Sequence, residues 1–70
     1  MTPLRLTSLL APGRAHKGKR LRVGDVEGVI EHVDRFANGV LDAVVVRDDA
    51  GKEHQIDGAR EGVVLGVADA

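Results

Sequence analysis

The chain predicts an all-β fold, a small barrel or half-barrel of five to six short antiparallel strands. Three observations carry this expectation. Apolar residues recur with a period nearer two than 3.6 through most of the 70 residues, as in strands with one buried face. Gly, Asn and Asp interrupt the pattern at short intervals, marking turns. The apolar content is aliphatic and rich in β-branched residues, 11 Val and 2 Ile beside 7 Leu with a single Phe, and such residues favour extended backbone over helix.

The elements follow in order. Leu4 to Leu10 reads as a first strand or one turn of helix, ended by Pro12-Gly13. Ala11–Gly18 is a loop, basic in character. Lys19 to Val23 alternates until Gly24-Asp25 breaks it, and Val26 to Phe36 follows with Val29 and Val33 on one side of the pleat and Ile30, His32 and Phe36 on the other. Gly28 inside that run predicts a bulge or a sharp bend. Asn38-Gly39 predicts a two-residue type I′ turn joining Val29–Phe36 to Val40–Arg47, since both residues tolerate positive φ. The second arm is apolar on both faces except at Asp42 and reads as the central, most buried strand. Asp48 to Gly51 is a turn with Gly51 in the left-handed position, Lys52–Asp57 a short strand with Ile56 inward, Gly58–Gly62 a turn or a single helical turn, and Val63–Val67 the last strand. Phe36 is expected in the core.

Seventy residues accommodate one domain, residues 1–70. A chain of this length buries only about 60% of its unfolded surface and is marginal alone, which points toward a partner subunit. Cys is absent, so disulfides and thiolate metal sites are excluded. No apolar run approaches the ~20 residues of a membrane span, and the N-terminal leucines are interrupted by Arg5, Thr7 and Ser8, unlike a secretory signal. A cytoplasmic location without membrane contact is expected.

The net charge of −1 hides an asymmetry, since residues 1–22 carry +6 with no acid and residues 23–70 carry −7. Such separation suits either a basic arm that meets phosphates or a head and body that attract each other. Arg14, Lys17, Lys19, Arg20 and Arg22 place five cations in nine residues, enough for several phosphate contacts. Stacking platforms for bases would need aromatic side chains, and only Phe36 is offered. Gly13 to Lys19 fits the first seven places of a phosphate-binding loop, G-x-x-x-x-G-K, but Arg20 stands where Ser or Thr must hold magnesium. His16, His32 and His54 are too far apart in sequence for a local metal site, so no metal or cofactor is expected. His32 and Asp34, at i and i+2, share a strand face where imidazole and carboxylate can meet. The few hydroxyls, Thr2, Thr7 and Ser8, stand in a segment without His or acid, which gives no nucleophile with a base beside it.

Residues 18–57 resemble the PRC-barrel pattern of SH3-like barrels. The resemblance rests on Gly18-Lys19-Arg20-Leu21-Arg22-Val23, then Gly28 to Asp34, then Gly39 to Val46 with its apolar doublets, and Gly51 with the strand ending at Ile56. It implies a small β-barrel used as an interaction module, with no catalytic residues to carry over. Asp57-Gly58 replaces the proline that often follows the last matched strand of that family. The expected function is therefore a non-enzymatic protein-interaction module that self-associates. The alternative is a nucleic-acid-associated accessory protein contacting phosphates through residues 14–22. Self-association is expected through Val40, Val44 and Val46. Strict alternation points these three one way and Leu41, Ala43 and Val45 the other, so both faces of that strand need cover. A second copy in C2 symmetry, or the Leu4–Leu10 segment folded over in cis, would supply it.

Overall fold

The computed structural model describes residues 3–13 and 15–67. Among them lie six strands and one helical turn: β1 (Leu4–Arg5), α1 (Leu6–Leu9), β2 (Lys19–Val23), β3 (Val26–Arg35), β4 (Leu41–Arg47), β5 (Glu53–Asp57) and β6 (Glu61–Val67). All pairings are antiparallel, in the order β1-β6-β2-β3-β4-β5. A four-strand meander, β2 to β5, is thus completed by β6 returning alongside β2. The Leu4–Leu10 segment is both things the sequence allowed, two residues of strand followed by one turn of helix. No helix among the described residues is long and apolar enough to cross a membrane.

The two tight hairpins differ in a way the turn residues explain. Gly24 and Asp25 form the two-residue connection, with Val23 opposite Val26 and Gly24 at φ +59°. The expected type I′ turn at Asn38-Gly39 is instead a three-residue loop. Phe36 N–H donates to Val40 O at 2.9 Å and Gly39 N–H to Phe36 O at 2.9 Å. Among the described residues none other than glycine has positive φ, so Ala37 and Asn38 make a type I-like turn and Gly39 alone, at φ +87°, takes the left-handed position that closes the bulge. Asn38 serves through its side chain, Oδ1 accepting from Val40 N–H at 3.0 Å. Gly39→Val is accordingly expected to cost about 1–2 kcal/mol through left-handed strain; an unchanged urea midpoint would contradict the assignment.

Two β-bulges set which side chains face inward at this end of the sheet. Ile30 lies opposite Val46 and His32 opposite Val45, which leaves Glu31 without a partner in β4. The extra residue resets the alternation. Ile30 and Val33 therefore both pack on the core, while His32 and Phe36 are exposed. On the facing strand Asp42 is the extra residue, between Leu41 opposite Arg35 and Ala43 opposite Asp34, and it brings Leu41 onto the same core as Val44 and Val46.

The core comprises Leu6, Leu10, Leu21, Val23, Ile30, Leu41, Val44, Val46 and Ile56. Three expectations are corrected by it. Val44 and Val46 have no exposed surface whereas Val40 is 45% exposed, so Val40, Val44 and Val46 form no common face open to a second copy. Phe36, expected inside, is 56% exposed. β4 is the strand with the most buried side chains but lies one place from the sheet edge rather than at its centre. Leu6 and Leu10 of the N-terminal segment join the same core cluster as Val44 and Val46, and Leu6 N–H fixes that segment by donating to Arg60 O at 2.9 Å.

Candidate functional site

The β3–β4 hairpin end and the loop beside it concentrate what the fold leaves exposed or unbalanced. Phe36 and Val40 flank the turn, and both are exposed. Between them and the N-terminal segment stands Arg35, turned inward by the Glu31 bulge and half-buried. Its guanidinium donates to the carbonyl oxygens of Leu10 at 2.8 Å, Gly39 at 3.2 Å and Ala11 at 3.5 Å. One side chain thereby ties the end of α1 to the hairpin tip, giving the exposed pair a rigid base. Its planar fork suits several oxygens at once. Nothing in the sequence marks this role, since strict alternation places Arg35 on the outer face.

His16 is the second residue that sequence reasoning passed over. It is the buried polar side chain of the described residues, 5% exposed, and its Nε2 lies 2.9 Å from Ala11 O. A carbonyl only accepts, so Nε2 carries the proton and donates. Gly18 N–H donates to Ile30 O at 3.0 Å and Lys19 N–H to His16 O at 3.2 Å. The loop is therefore fastened to β3 rather than free.

Arg14 lies outside the described residues. Lys17 is exposed on the loop and Lys19 is half-buried at the start of β2. Arg20 is held by Glu27 at 3.5 Å and Asp49 at 3.3 Å, and Arg22 is exposed beside Glu27 on the neighbouring strand. Acid and base alternate elsewhere on the sheet: Arg47 meets Glu31 at 2.9 Å and Glu53 at 3.3 Å. The hydrogen bond from Arg47 is the main cause holding the Glu31 carboxyl below its ordinary range.

His32 and Asp34 do meet, at 2.6 Å, on the exposed surface. A second such pair, His54 with Asp48 at 2.8 Å, closes the β4–β5 turn. It borders a cavity of about 330 Å3 between the two turns, lined by Asp25–Glu27, Asp48–Ala50 and His54. Asp48 Oδ1 also accepts from the N–H groups of Ala50 and Lys52, both at 2.9 Å. The His54 hydrogen bond first, then these backbone donors, hold the Asp48 carboxyl below its ordinary value. Its stabilising contribution is thus complete above the unfolded value, about 3.9, and is lost as the pH falls through the lower folded one. Asp48→Asn is expected to lower the urea midpoint at pH 7 and to flatten its decline on acidification. A parallel decline in both proteins would refute this. Among the described residues no cluster of three or more His, Asp or Glu could hold a metal ion.

No family model, curated protein or solved structure matches the chain.

Proposed function

We propose that the chain is a non-enzymatic protein-interaction module, an SH3-like barrel of PRC-barrel type, that binds through the β3–β4 hairpin end and counts a second copy of itself among its partners. The single observation that carries this reading is the placement of Phe36. The one aromatic residue of the sequence stands outside the core at 56% exposure, beside Val40 at 45%, although the core of so small a domain has need of large apolar groups. Aromatic side chains on a fixed backbone are effective anchors in protein contacts, because they cover much area for little lost side-chain freedom. The strand order supports the barrel class, a four-strand meander whose first strand is paired by the last. Phosphate contact through residues 14–22 receives less support, since Arg20 is engaged by two carboxylates.

Sedimentation equilibrium over a concentration series tests the reading. The wild-type mass is expected to rise above 7.4 kDa with concentration and that of Phe36→Ser to stay at the monomer value, with folding unimpaired because the side chain is exposed. A monomer at every concentration for both proteins would refute self-association at this surface.

A further inference from the structure

β5 forms one edge of the sheet, with β4 its sole neighbouring strand among the described residues. Two hydrogen bonds flanking that pairing fix where its backbone groups point. Asp48 N–H donates to Lys52 O and Gly58 N–H to Asp42 O, both at 2.9 Å, and the register between them is unbroken from Arg47 opposite Glu53 to Ala43 opposite Asp57. Hydrogen-bonded and non-hydrogen-bonded pairs alternate along an antiparallel ladder. His54 and Ile56 therefore bond to β4, while Glu53, Gln55 and Asp57 turn N–H and C=O to the open side. Of those groups Asp57 O alone is engaged by the loops among the described residues, accepting from Arg60 N–H at 3.1 Å. All three residues are exposed. Such a row of free donors and acceptors is a template for a further strand.

We propose that β5 receives an extended basic segment of a partner protein as an additional antiparallel strand, with Lys or Arg opposite Glu53 and Asp57 and apolar β-branched residues opposite His54 and Ile56. The charges choose this occupant over a second copy. Self-pairing along the whole of β5 would set Glu53 against the second copy's Asp57 at both ends, and like charges directly opposite destabilise a sheet, whereas opposite charges stabilise it. Asp57 makes no ion pair among the described residues, and Glu53 shares its one cation, Arg47, with Glu31. Lys52 and Arg60, which flank the strand in sequence, are not within ion-pair distance of either carboxylate. On the other side of the pleat Ile56 is buried and His54 half-buried, so apolar residues opposite them extend the inner face of the sheet. This edge is distinct from the hairpin end, and the two surfaces can be tested apart.

The test is an NMR titration of the full 15N-labelled chain with an N-acetylated, C-amidated peptide, Lys-Val-Thr-Val-Lys between Gly-Ser flanks, which sets Thr opposite Gln55. Saturable binding is expected, with amide exchange slowed at Glu53, Gln55 and Asp57 and unchanged at His54 and Ile56, whose N–H groups already bond within the sheet. N-methylation of the Thr, which removes the donor to Gln55 O, is expected to weaken binding about tenfold, and N-methylation of either Val, whose N–H faces away, to leave it unchanged. Exchanging both Lys for Glu is expected to weaken it about tenfold as well. Gln55→Pro is expected to abolish binding with the fold kept, since an edge strand tolerates Pro where its N–H faces outward. No binding of the peptide, equal binding of the N-methyl-Thr or Glu peptides, or slowed exchange that ignores the alternation would overturn the proposal. Protection of Gln55 that rises with protein concentration without peptide would also overturn it, by giving the edge to a second copy. Phe36→Ser is expected to bind the peptide as wild type does; loss of binding there would move the peptide to the hairpin end and overturn strand addition, while intact binding stands whatever sedimentation shows of self-association.

Discussion

Gly28→Ala is expected to destabilise the protein by roughly 3 kcal/mol or more, at or beyond the upper end of ordinary overpacking costs. A Cβ at this position would lie 2.2 Å from Arg47 O and 2.8 Å from Val46 Cγ1. The carbonyl belongs to backbone and cannot rotate aside as a side chain can. Gly28 stands where β3 changes partner, residues 26–29 pairing with β2 and 29–35 with β4, and the backbone of β4 passes close against it. A domain of this length has a total stability of roughly 4–10 kcal/mol, so the variant is expected to be partly or wholly unfolded. Circular dichroism under urea titration measures it; a midpoint within error of wild type would show that β3 runs past β4 with room to spare.

Leu6→Ala carries the second largest expected effect, about 2–5 kcal/mol for a fully buried leucine whose cavity cannot close. Leu6 has no exposed surface and packs in one cluster with Leu21, Ile30, Val44 and Val46. The size of the loss decides how the Val-rich strand is covered. If α1 completes the core in cis, the variant loses stability independently of protein concentration. A midpoint that is unchanged, or that recovers as concentration rises, would mean that the cover comes from a second subunit instead.

Much of the fold is legible in the residues because strands, turns and core are local matters of alternation and of Gly, Asn and Asp. The close backbone approach at Gly28, the left-handed Gly39 and Gly51 and the inward Ile56 all follow from residue chemistry. Two single residues, Glu31 and Asp42, account for the misplaced faces of the β3–β4 hairpin. A bulge is a property of two strands in register, and neither residue differs from an ordinary solvent-facing acid in a strand. Yet Glu31 turns Phe36 outward and Arg35 inward, and Asp42 brings Leu41 to the core. The candidate surface is built by these inversions, so alternation counted straight through placed the aromatic inside and assigned the contact to Val40, Val44 and Val46. The joining of His32 to Asp34 was legible because i and i+2 stay on one face. The anchoring of His16 and the three carbonyl contacts of Arg35 were not, since each partner lies in a segment distant along the chain or irregular in form.

The most direct measurement of the interaction reading is an isotope-filtered nuclear Overhauser experiment on a concentrated mixture of 13C-labelled and unlabelled chains, which detects only contacts between copies. Cross-peaks are expected from the Phe36 ring and the Val40 methyl groups of one copy to the hairpin end of another. Cross-copy contacts from Val44 and Val46 or from Leu6, with none from Phe36, would contradict both the cis-closed core and the hairpin end as the binding surface.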